Sequence, residues 1–184
     1  CSWQVRRTPY SFSSGGIGSA LWRSKDGGKT WINLMDKPGM PKGIIGKVTI
    51  SASSVQKNLL FASIEHATNG GLFRSDDGGE TWKNVNKEGK IRQRAWYFSR
   101  VYCDTKDANT VYAMNVHFQK SIDGGKSFSV IHTPHVDHHD LWISPEDADR
   151  IIIGDDGGAQ VSYDGGINWS EYTNQPTAQF YRVV

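Results

Sequence analysis

The stretch HTPHVDHHD, residues 132–140, gathers four of the chain's six histidines and two of its aspartates. Imidazoles and carboxylates at this density suit three kinds of chemistry. They can ligate a divalent ion, since imidazole nitrogen and carboxylate oxygen are ligands that zinc and related ions accept. They can move protons, since a histidine beside a carboxylate titrates within reach of neutral pH. They can also hydrogen-bond the backbone of a crowded loop. The metal reading makes His135, Asp137, His138 and His139 ligands of one divalent ion in the loop 135–140. The plain reading is that His138, His139 and Asp140 alternate between faces at the start of a strand. Which applies depends on the elements that hold the loop.

The totals narrow those elements. The chain of 184 residues is long enough for one domain with a real core. Its formal net charge of +2 gives no electrostatic case for nucleic acid or an acidic membrane surface. No apolar run is long enough to span a bilayer as a helix. Twenty glycines and seven tryptophans suit short strands joined by tight turns. Cys1 and Cys103 do not make a disulfide framework. The chain does not open on Met and has no charged-then-apolar leader, which reads as a processed or excised piece.

A repeat organises the rest. RSKDGGKTW (23–31), RSDDGGETW (74–82), KSIDGGKSF (120–128) and VSYDGGINW (161–169) align without gaps. Their aspartates, Asp26, Asp77, Asp123 and Asp164, are separated by 51, 46 and 41 residues. That period fits a four-stranded propeller blade. The box has the chemistry of a hairpin turn. Asp accepts backbone N–H groups a few residues on, and Gly-Gly supplies positive φ at little steric cost. These four aspartates are therefore read as structural.

Strand-like runs flank every box except the first, which lacks the early ones. The expected fold class is all-β: four-stranded antiparallel β-propeller blades, about four blade-equivalents with Asp-box hairpins, forming part of a larger propeller. The chain divides into a partial blade (1–45), blades at 46–88, 89–133 and 134–173, and the first strand of a next blade at 174–184.

The boxes resemble the Asp-box, or BNR, repeat of sialidases, other glycoside hydrolases and sortilin-type Vps10 propellers. NGGLFRSDDGGETW, RQRAWYFSRVY, PHVDHHDLWISP and DDGGAQVSYDGGINWS are most similar to the large sortilin-like BNR-repeat proteins of bacteria. The resemblance implies a β-propeller, export from the cytoplasm (periplasmic, cell-surface or secreted), and a loose link to glycoside hydrolases. A sialidase site would need arginines from several blades, whereas Arg92, Arg94 and Arg100 cluster in one loop and strand. HVDHHD is superficially similar to the His-x-His-x-Asp-His run of metallo-β-lactamase-type enzymes, but the order of its residues differs.

In a propeller, the loops from strand two to three and from strand four to the next blade share one face, opposite the box turns. On that face the sequence gathers Glu65, His66 and Asn69; Arg92, Gln93 and Arg94; His117; His135, Asp137, His138, His139 and Asp140; Asp155 and Asp156; and Asn174 and Gln175. Trp96, Tyr97 and Trp142, read as residues of innermost strands, are expected in the inter-blade core, with sugar stacking as the alternative. The expected function is a module that binds a protein or glycan ligand, or scaffolds an assembly, through this face. A glycoside hydrolase fragment using two of its carboxylates is the alternative. The expected partners are that ligand and the remaining blades of a longer chain or a partner subunit.

Overall fold

A computed structural model describes residues 1–3, 10, 14–173 and 175. The first sheet holds β1 (Ser2–Trp3), β2 (Ala20–Arg23) and β3 (Ile32–Asn33). The second is a meander of β4 (Ile45–Ala52), β5 (Leu60–His66), β6 (Gly71–Ser75) and β7 (Lys83–Asn86). The third repeats it with β8 (Arg100–Cys103), β9 (Val111–Met114), β10 (Phe118–Ser121) and β11 (Ser129–Ile131). The fourth holds β12 (His138–Ile143), β13 (Ile151–Asp155) and β14 (Gly158–Ser162). Every pairing is antiparallel. Helical structure among the described residues amounts to two short 3-10 turns, Leu34–Asp36 and Gly89–Arg92.

The four boxes fold alike. In the second, Ser75 Oγ donates to Asp77 Oδ1 and accepts from Gly79 N, both at 2.8 Å. Asp77 also takes the backbone N–H and the hydroxyl of Thr81, at 2.9 and 2.6 Å. Trp82 Nε1 closes the turn onto Gly79 O at 3.2 Å. Gly78 and Gly79 sit at φ 73° and 90°, a left-handed pair that side chains resist. The second, third and fourth boxes are also tied to the turn between their blade's first two strands. Gly78, Gly124 and Gly165 donate to the carbonyls of Asn58, Asn109 and Asp149 at 2.8, 2.8 and 3.0 Å. The opposite end carries the other loops: Asp137 N and His138 N donate to Val116 O and Asn115 O at 2.9 and 2.8 Å.

Cores form between sheets rather than within them, because strand alternation gives each sheet two apolar rows. On β5, Ala62 and Ile64 face the first sheet with Leu21, Leu34 and Met40. Phe61 faces the third with Val101, Val111 and Ala113. Tyr112 and Met114 then face Leu141, Ile143, Ile151 and Ile153 of the fourth. Glu80, bonded to Lys37 at 2.6 Å and to Arg23, clips the first and second sheets together at the box end.

Several expected strands change. The innermost strand of the third sheet begins at Arg100 instead of residue 95, because a 3-10 turn ends at Arg92 and Arg94 adopts φ 54°. The strand read at 168–172 is not formed. Ser170 Oγ takes the N–H of Val161, where a ladder would use a backbone carbonyl. The first sheet gains β1, fixed by Trp22 N to Cys1 O at 2.8 Å. The segment 174–184, Asn174 included, lies outside the described residues except for Gln175. Cys1 and Cys103 are free thiols.

Candidate functional site

The loop 132–137 leaves β11 and turns into β12 across the end of the third sheet. Its histidines separate by alternation. His138 points inward and is 1% exposed. Thr133 Oγ1 donates to His135 O at 2.7 Å, so it accepts from Nε2 of His138 at 2.9 Å. Burial holds the His138 imidazole below its ordinary pKa, against the pull of nearby Asp155, so it is neutral. Asp155 is sealed beside it. Its Oδ1 accepts from Gly157 N at 2.8 Å and Gln160 Nε2 at 3.2 Å, while Oδ2 stands 3.9 Å from His138 Nε2.

His139 points the other way. Its Nε2 meets Asp156 Oδ1 at 2.8 Å, and its ring lies 4.5 Å from that of Phe98 and 6.1 Å from that of Tyr97. Asp140 accepts from the Tyr102 hydroxyl at 2.6 Å and from Arg100 at 2.9 Å. Burial, and then the bond to Asp140, push the Tyr102 hydroxyl up to about 12, so it stays protonated. His135 bonds the neighbouring carbonyl of Val136 and sits edge-on to Tyr172 at 5.9 Å. Gly157 makes room for it: a Cβ there would fall 2.6 Å from the imidazole.

These directions correct the metal reading. His138 and His139 lie on opposite faces of one strand, and Asp137 turns to Arg94. Among the described residues, no group of three or more His, Cys, Asp or Glu side chains is arranged to hold an ion. The aromatic expectation is corrected for Trp96 and Tyr97. Trp96 and Tyr97 lie in the turn before β8, and Tyr97 is 49% exposed. Trp142 is on an innermost strand, as read, on the face of the fourth sheet that no other described sheet covers, and is 52% exposed.

The remaining candidates divide between support and surface. Glu65 accepts from Lys47 N at 2.9 Å and from Ser14, locking the bulge in β4. His66 accepts the N–H groups of Thr68 and Asn69 through Nδ1, which leaves Nε2 to donate to Lys42 O at 3.0 Å. Arg92 reaches Lys87 O at 3.4 Å, while its Nε is buried with no hydrogen-bond partner. His117 is exposed.

Arg94 carries the clearest strain, because asparagine and aspartate both tolerate left-handed φ. Three non-glycine residues among those described have left-handed φ: Asn58, Arg94 and Asp137, at 67°, 54° and 63°. Asn58 is in a box-end turn, where asparagine tolerates that conformation. The other two come from separate loops and meet, Arg94 NH1 lying 3.4 Å from Asp137. The Arg94 guanidinium also lies 5.5 Å over the Phe98 ring, beside His139. The result is a ledge of Arg94, Tyr97, His139 and Asp156, backed by buried Phe98. Sequence reading missed Phe98, Tyr102, Thr133 and Gln160. Only the strand alternation of Tyr102 could have flagged any of them.

Comparison with known proteins agrees with the fold. The BNR/Asp-box repeat model matches residues 73–84 and 160–171, so the chain carries BNR/Asp-box repeats. No curated protein sequence matches the chain. Among solved structures it is similar to an ancestral GH74 enzyme, with TM-score 0.55 and 16% identity over 82% of this chain. It spans only 21% of that enzyme's length. It is also similar to YCF48 from Cyanidioschyzon merolae, with TM-score 0.45 and 22% identity over 66% of this chain and 38% of that one. A YCF48 bound to D1 peptide gives TM-score 0.48 and 14% identity over 86% and 62% of the two chains. The chain is a segment of β-propeller architecture, with antiparallel sheets of up to four strands.

Proposed function

We propose that this Asp-box propeller segment is a ligand-binding module, and that it takes a protein or glycan on the face opposite its boxes. The observation that carries the reading is the meeting of Arg94 and Asp137. Left-handed conformations outside glycine cost energy, and they concentrate where a ligand or mechanism requires them. Here Arg94 is such a residue, and it meets Asp137 at 3.4 Å beside an exposed tyrosine and a His–Asp pair. Tyr97 offers an apolar face with a polar tip, the kind of surface that dominates recognition of peptides and sugar rings alike.

Hydrolysis is less well supported. A glycosidase needs two carboxyl groups free to act across one bond. Asp155 is sealed, Asp140 is held by Tyr102 and Arg100, and Asp137 is held by Arg94. The site of action we infer is outside the cytoplasm, as for the exported Asp-box proteins that the sequence resembles. Fractionation of the source cells tests that directly.

The test of binding is to probe peptide and glycan arrays with the chain and with Tyr97→Ala and His139→Ala variants. The reading expects a ligand whose signal both variants lose while their melting temperatures hold. Equal binding by the variants would overturn it.

A further inference from the structure

The buried side of the histidine loop holds a carboxylate and two imidazoles that the ledge does not use. The Asp155 side chain is 0% exposed and ends between two rings. His135 Nδ1 stands 3.9 Å from its Oδ1, and His138 Nε2 stands 3.9 Å from its Oδ2. Those distances are too long for hydrogen bonds. Oδ1 is served by Gly157 N and Gln160 Nε2, while Oδ2 is buried with no hydrogen-bond partner among the described residues. His138 has a matching deficit. Its one N–H goes to Thr133, and Nδ1 is buried without a partner.

A proton on His138 meets both deficits. It makes the ring a donor at both nitrogens and sets an opposite charge beside Oδ2. The groups around the ring are divided. Burial opposes the charged form most, and His117, in the turn between β9 and β10, opposes it too. Asp155 on β13 and the carbonyls of Asn115 and Val116 favour it. His135 and Asp137 flank the ring on its own loop, while His139 and Asp140 are turned to Asp156 and to Tyr102 and Arg100. The same two carbonyls, of Asn115 and Val116, accept the backbone N–H groups of His138 and Asp137 at 2.8 and 2.9 Å. Asp137 is the residue at φ 63° that meets Arg94. A charged ring therefore pulls on the atoms that set one side of the ledge.

We propose that His138 and Asp155 form a proton-operated latch beneath the ledge. On acidification His138 Nε2 leaves Thr133 for Asp155 Oδ2, and the movement draws Asp137 away from Arg94. The consequence for binding rests on the ledge being the ligand site: ligand held at neutral pH is released in mild acid.

An NMR pH titration of the isotopically labelled chain, with no ligand present, tests the latch separately from the binding reading. From about pH 7.5 to about pH 4.5, the amides of Arg94 and Asp137 are expected to shift in one step with the His138 ring carbons. His139→Gln removes the exposed pair with Asp156 and should keep that step. Asp155→Asn removes the attracting charge and should move the step to lower pH. Should either variant fail to fold, the curves of the unmodified chain still decide. No step at Arg94 and Asp137 while the His138 ring titrates would overturn the proposal. So would a step that vanishes in His139→Gln, a step unmoved in Asp155→Asn, or a His138 ring that stays neutral throughout.

Discussion

At the scale of single residues, the boxes and the histidine loop depend on different hydrogen bonds and respond to different pH. Ser75 is buried, and its hydroxyl serves both Asp77 and Gly79 N. Ser75→Ala leaves that N–H without its partner and should cost about 1–3 kcal/mol, read from urea unfolding. The box aspartates set the acid limit. Asp26 titrates at about 2 against an ordinary 3.8, chiefly through the Thr30 hydroxyl and then its N–H. Asp77 and Asp123 are lowered in the same way, led by the hydroxyls of Thr81 and Ser127. A depressed carboxylate stabilises the fold above its unfolded pKa and loses that contribution as pH falls through the folded one. Melting temperature should therefore fall steadily below about pH 4. His138 acts earlier. Its folded pKa lies below the ordinary 6.5 because the ring is buried, so the unfolded chain takes up the proton first. Stability should begin to decline below about pH 6.5, and a His138→Gln variant should lack that shallow step. A variant that keeps the step would point to another group.

At the scale of elements, the sheets are held by what they bury against each other. Phe61 is fully buried between the second and third sheets, and Phe61→Ala should cost about 3–5 kcal/mol. Chemical denaturation of the variant checks this, and a cost under about 1 kcal/mol would mean that these sheets do not share a core. The boxes made this arrangement legible. Four turns in one register, with gaps that each hold several strands, leave little besides blades. The ends of strands were not legible where a side chain or a left-handed residue replaced a ladder bond. Ser170 Oγ does so at the fourth box, and Arg94 does so ahead of β8. Both are local choices that alternation of apolar residues does not encode.

At the scale of the whole molecule, the sequence revealed which face the histidine loop occupies but not which groups meet there. The face follows from the order of strands and turns alone. The contacts do not, because Arg94 and Asp137 are 43 residues apart and Tyr102 and Asp140 are 38 apart. Such pairs depend on how neighbouring blades are set against each other. The metal reading failed for the same reason: adjacent histidines looked like one cluster but serve a buried brace and an exposed ledge. The ledge of Arg94, Tyr97, His139 and Asp156 is where the proposed ligand arrives. The most direct test is amide chemical-shift mapping of the isotopically labelled chain, titrated with the peptide or glycan that the arrays select. The account predicts saturable shifts at residues 94–98, 135–140 and 155–158. Shifts confined to the box turns around Asp26, Asp77, Asp123 and Asp164, with the ledge unmoved, would contradict it.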